Sequence, residues 1–165
     1  MAGLATFEIA TTPSSVRFVD VTATTPWKVG DQKTLSRRRR GAPSASVALS
    51  ASNGFDRATV SVTRHEPGAL RINLDRRWRA DPPLCLAGIG GSVDFRGDDL
   101  HVRVDATRLE SGWSSTPIDR LGNRGYHVHG EECVRGDARW TAKMFGYDGE
   151  GPNHAEEIAT WTIPT

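Results

Sequence analysis

Cysteine, long apolar runs and helical periodicity are all scarce in this sequence, and each shortage narrows the reading. Cys85 and Cys133 are the only cysteines in 165 residues, too few for a disulfide-stapled scaffold and without the Cys-x-x-Cys spacing of a zinc or redox site. Their separation leaves pairing open, and in the absence of an export signal two reduced, partly buried thiols are expected. No segment approaches the ~20 apolar residues of a membrane helix. The amino-terminal stretch lacks a basic segment and carries Glu8 among its apolar residues, unlike a signal peptide. A soluble chain, cytoplasmic by default and without membrane insertion, is the expectation.

Catalytic signatures are missing too. There is no Gly-x-Ser-x-Gly elbow, no phosphate-binding loop and no His-Glu-x-x-His, and the Gly88–Gly91 stretch is too short for dinucleotide binding. Asp98-Asp99 sits where a hairpin tip is expected, so solvation accounts for that acidic pair.

What the sequence does hold is alternation punctuated by turns. Asn53-Gly54 separates the runs 47–51 and 58–62, and Pro67-Gly68 separates the second run from 70–74. Asn-Gly supplies the positive φ values of a tight hairpin, and Pro-Gly suits a type I or II turn. Apolar and polar residues alternate on both sides, giving one buried sheet face and one polar face. About nine strands are expected, drawn from ten segments near 4–10, 16–24, 46–51, 57–64, 69–78, 92–95, 99–108, 125–130, 138–145 and 157–163. Segments 25–45, 79–91 and 109–124 read as long loops, which are uncommon unless functional. The expected fold is a single all-β domain over residues 1–165, an antiparallel β-sandwich of jelly-roll or lectin-like type. A closed β-barrel is the alternative, less favoured because the connections are uneven.

The net charge of +1 conceals polarity: residues 1–44 hold seven Lys/Arg against three Asp/Glu, and residues 125–165 hold three against seven. Such a distribution suits contact between unlike ends, and hence a homo-oligomer, better than uniform attraction to nucleic acid. Arg supplies 18 of the 21 basic residues, through base composition or for gripping oxyanions with its planar fork. Arg37, Arg38, Arg39 and Arg40 form an anion-binding candidate. The run lacks interleaved aromatics and equally describes a solvated loop, so packaged nucleic acid is a partner only if the chain is a virion component.

Two constellations carry chemistry. Trp27, Trp78 and Trp113 stand beside polar, turn-forming residues, whereas Trp140 and Trp161 fall in strand patterns and read as core. An indole stacks on the apolar face of a sugar while polar neighbours bond its hydroxyls. Here Trp27 and Trp113 with Asp119, Arg120, Asn123 and Arg124 form the ligand-binding candidate, and the competing role is to close the ends of the core. The second is His127-Val-His129. On a strand both imidazoles project to one face, with Cα atoms about 6.6 Å apart, within reach of one divalent metal. Glu131 shares their parity, and His154, Glu156, His101 and His65 are further donors. The pair resembles the opening of the cupin His-x-His…Glu pattern, although Glu131 and Glu132 follow earlier than that pattern's Glu and no second half-motif appears. If Tyr126 and Val128 face the core instead, the two histidines simply lie on the solvent face. Tyr147–His154 is acidic and Gly-rich but lacks the alternating acids of a calcium loop, and Arg135-Gly136-Asp137 reads as the turn into strand 138–145.

The leading functional expectation is a non-enzymatic binding or interaction protein, recognising a carbohydrate or other polar ligand through its loop face and needing no cofactor. The second is a metal-dependent, cupin-like enzyme in which a divalent ion on His127 and His129 activates water. The third is a virion or assembly protein.

Overall fold

The computed structural model describes residues 4–35, 42–51, 53–66, 68–97, 101–122, 126–147 and 152–165. They form thirteen strands and, among the described residues, no helix. The first six are β1 (Ala5–Thr12), β2 (Ser15–Ala23), β3 (Trp27–Leu35), β4 (Ser44–Ala51), β5 (Arg57–Glu66) and β6 (Ala69–Arg79). The remainder are β7 (Leu84–Gly88), β8 (Gly91–Gly97), β9 (Val102–Leu109), β10 (Ser114–Leu121), β11 (Tyr126–Arg135), β12 (Ala138–Tyr147) and β13 (His154–Pro164). The sheets are antiparallel and open, in keeping with a sandwich rather than a closed barrel. No helix among the described residues is long and apolar enough to cross a membrane.

Two compact units divide the chain: Met1–Arg76 with Thr160–Thr165, and Arg77–Ala159. In the first, the β1–β2 hairpin accompanies a sheet ordered β3-β4-β5-β6-β13, to which β13 gives its last residues. Alternation explains this unit directly. Val47, Leu49, Val60, Val62, Leu70 and Ile72 point inward and are buried, as is Val16 of β2, which packs against β4. Burying each such side chain contributes roughly 1.5–3 kcal/mol. The intervening polar residues tie the opposite face together. Asn73 donates to Ser61 at 3.3 Å, and Thr160 donates to Asn73 at 3.0 Å.

The second unit stacks a β7-β8-β9 sheet on one ordered β10-β11-β12-β13-β6. Contacts of β9 with β11 and β12 join the layers. Trp140, Phe95, Met144, Val93, Val102 and Cys133 fill the space between them, each at most 2% exposed.

The strands read from alternation are all present, and three more occupy the segments expected as loops: β3, β7 and β10. β10 is almost entirely exposed along its length, Pro117 included, and Lys28–Thr34 of β3 are exposed as well; both are edge strands, β10 pairing with β11 and β3 with β4. An edge strand with no buried face need not alternate, so pattern alone misses it. β7 has only five residues. The Asn53-Gly54 hairpin is also longer than a two-residue turn, its connection running over 52–56. Asn53 Oδ1 accepts from the backbone N–H groups of Phe55 (3.0 Å) and Asp56 (2.9 Å), while Gly54 takes a φ of 70°. The side chain thereby satisfies two backbone donors of the connection, beside the bond from Gly54 N–H to the Ala51 carbonyl at 3.2 Å.

Candidate functional site

β11 has two used faces, and this decides what the histidines can do. Register with β12 pairs His127, His129, Glu131 and Cys133 with Gly146, Met144, Ala142 and Trp140. Those residues face the β7-β8-β9 layer, where Thr107 of β9 donates to Glu131 at 3.2 Å. The rings of His127 and His129 lie nearly parallel, 14° apart with centroids separated by 6.4 Å. Both are half-buried rather than laid on a solvent face. His129 also faces Asp119 of β10 across 3.5 Å.

His154 lies on the opposite side of this sheet. It stacks on Phe145, which pairs with Val128 and therefore alternates away from His127 and His129. The four candidate metal ligands, His127, His129, Glu131 and His154, thus fall on two faces. Among the described residues, no group of three His, Cys, Asp or Glu side chains is placed to hold one ion.

The carbohydrate set is divided as well. Trp113 is buried, with Gly90 packed beneath it and the Arg135 guanidinium 5.1 Å from its ring centroid. It closes the core and offers no free face to a sugar. Trp27 belongs to the other unit and lies under the Arg76 guanidinium at 5.5 Å. Asp119 and Arg120 alternate on β10, so they serve opposite faces. Asn123, Arg124, the run Arg37–Arg40 and the acidic turn 148–151 lie outside the described residues. Gly136-Asp137 makes the expected turn between β11 and β12. Both cysteines are free thiols. Cys133 is buried, and burial, then the charges of Glu131 and Glu132, push its thiol up to about 11. Cys85 is exposed on β7, its thiol raised by a hydrogen bond to Asp94.

The face of β11 that carries Tyr126 and Val128 opens instead onto a cleft of about 490 Å³, lined by Arg77, Arg120, Leu121, Gly122, Tyr126, Val128, Phe145 and His154. Its volume lies within the ~300–1,000 Å³ of small-ligand sites. Five strands supply it: β6 gives Arg77, β10 Arg120, β11 Tyr126 and Val128, β12 Phe145, and β13 His154 at its start. Phe145 and His154 stack at 4.3 Å and 12°, and Tyr126 meets both edge-on, 6.4 Å from Phe145 and 5.3 Å from His154. Arg77 Nη2 bonds His154 Nε2 at 2.7 Å, and its guanidinium lies 5.9 Å from the Phe145 centroid.

Guanidinium can only donate, so His154 Nε2 accepts and its proton resides on Nδ1. Burial, then the Arg77 charge, push the imidazole down to about 4 from its usual 6.5. His154 is therefore neutral at physiological pH. Between those two values the unfolded chain binds the proton and the folded one does not, so stability rises with pH through this window and levels off above it. The expected loss on acidification from pH 6.5 to about 4 is roughly 3 kcal/mol from this group. Urea unfolding at several pH values checks this: His154→Phe, which keeps a ring on Phe145, should show a flatter profile across the same window.

Arg120 is the one described member of the sugar-binding candidate that reaches this cleft, and His154 reaches it in a role other than metal ligation. Arg77, Tyr126 and Phe145 carry no local motif that marks them. The chain matches no protein-family model, and comparisons with curated proteins and with solved structures find no significant match.

Proposed function

We propose that this chain is a binding protein that holds a small polar ligand, in the first place a carbohydrate, in the cleft of the second unit. One observation carries the reading: four strands converge an aromatic wall of Tyr126 and Phe145 with the polar groups of Arg77 and Arg120 around a cavity of ligand size. An apolar wall faced by a few oriented polar groups is the usual composition of a small-molecule site. Among the described residues of the lining, no nucleophile stands beside a free base, since His154 accepts from Arg77 through Nε2. Binding without chemistry is therefore favoured over catalysis. The location differs from the loop face expected on tryptophans, because Trp113 is committed to the core.

A thermal-stability screen of monosaccharides, sugar acids and small polar metabolites tests this. A ligand present at a hundred times its Kd should stabilise the fold by about 2.7 kcal/mol. The stabilisation should shrink in Tyr126→Ala, which removes part of the aromatic wall. Ligands that stabilise the wild type and Tyr126→Ala equally would place binding elsewhere.

A further inference from the structure

The cleft has a charge character that narrows its ligand. Among the described residues its lining contains two guanidinium groups, Arg77 and Arg120, and no carboxylate. Arg77 is held by an imidazole: the bond to His154 Nε2 at 2.7 Å and the Phe145 ring orient the guanidinium. A carboxylate in that position would cancel the charge that it oriented. His154 is neutral, so it orients Arg77 without itself supplying a negative charge. Fixing the fork beforehand lowers the ordering cost of gripping a planar anion. Arg120 stands across from Val128 in the β10–β11 register, on the same face, and is exposed at the mouth. Beside these two groups lie Tyr126, Val128 and Phe145, which suit an apolar ring face and offer little to an extended polar chain.

From this arrangement we infer that the cleft binds a ring-bearing oxyanion, a carboxylate or a phosphate, with the anionic group between Arg77 and Arg120 and the ring against Tyr126. This inference rests on the reading of the cleft as a polar-ligand site and adds the charge of its occupant. Charge-assisted bonds to a fork of donors are among the stronger polar contacts. A cationic ligand would meet two like charges, and a neutral one would leave that asset unused.

Galacturonate, its neutral methyl ester, glucose 6-phosphate and glucose are suitable probes, titrated into the full chain while backbone amide NMR signals are followed. The acid and the phosphate should shift Gly122, Tyr126, Val128 and Phe145, and bind at least tenfold more tightly than the ester and glucose; whichever of the two is tighter identifies the preferred anion. Arg120→Glu should weaken both anions at least tenfold and leave the neutral probes unaffected. Because Arg120 is exposed, an unchanged urea midpoint will show that the variant folds. Arg120→Gln should fall between the two, and added salt should weaken anion binding in the wild type. If the ester and glucose bind the cleft as tightly as the anions, the charge inference fails and the polar-ligand reading stands. Absence of cleft shifts with all four probes at millimolar concentration would overturn both.

Discussion

Trp140→Ala should unfold the second unit far more readily than any other single substitution in its sheet. The indole is fully buried between the two layers, and its Nε1–H donates to Glu157 at 3.0 Å. Truncating a buried aromatic costs about 3–5 kcal/mol through lost transfer energy and the cavity that remains. Here a second effect adds to it, because Glu157 is only 4% exposed and loses its indole donor. Losing a hydrogen-bond partner of a buried polar group costs on the order of 1–3 kcal/mol. Trp140→Phe should keep most of the packing and lose mainly the hydrogen bond. A smaller loss in Trp140→Phe than in Trp140→Ala, read from urea midpoints, would confirm that volume dominates. Equal losses would mean that the bond to Glu157 matters more than the packing.

Gly88→Ala is the second large effect, and it depends on the same indole. A Cβ at residue 88 would overlap Cε2 and Nε1 of Trp140, whose ring presses on the β7 backbone. The ring cannot retreat: Gly90 packs on its other edge and Glu157 holds its nitrogen. Overpacking of this kind costs typically 1–3 kcal/mol, and the fixed indole argues for the upper end. The decisive comparison is a double-mutant cycle. Phenylalanine lacks the pyrrole edge that the new methyl group meets, so Gly88→Ala with Trp140→Phe should cost less than the two single changes added together, by more than about 1 kcal/mol. Strict additivity would show that the glycine is required for another reason.

How much of this was legible in the sequence differs between strands. β4 and β5 were readable because Val47 and Leu49, then Val60 and Val62, alternate with Ser and Thr, and one face of each strand is buried. β10 was not, because a solvated edge imposes no apolar face on Ser114–Leu121. For the site, the sequence offered aromatic and histidine motifs of short range, but the cleft is assembled over long separations. Arg77 and His154, 77 positions apart, meet only because β6 and β13 end beside one another in the second unit. His127-Val-His129 was the sharper local signal, yet strand alternation sends its middle residue to the cleft and its histidines to the other face. Trp113 next to polar residues read as a ligand platform, and burial under Arg135 makes it core instead. Hydropathy along the chain cannot separate those two fates, since both need an aromatic beside a charge.

We propose that ligand recognition belongs to the face of β11 bearing Tyr126 and Val128. The most direct measurement is an amide NMR map of the full chain with the best ligand from the stability screen. Shifts concentrated at Gly122, Tyr126, Val128 and Phe145, with the His154 ring signals moving in step, are the predicted result. Shifts centred on His127 and His129, or on Trp27 in the first unit, would move recognition to another surface and overturn the cleft as the binding site.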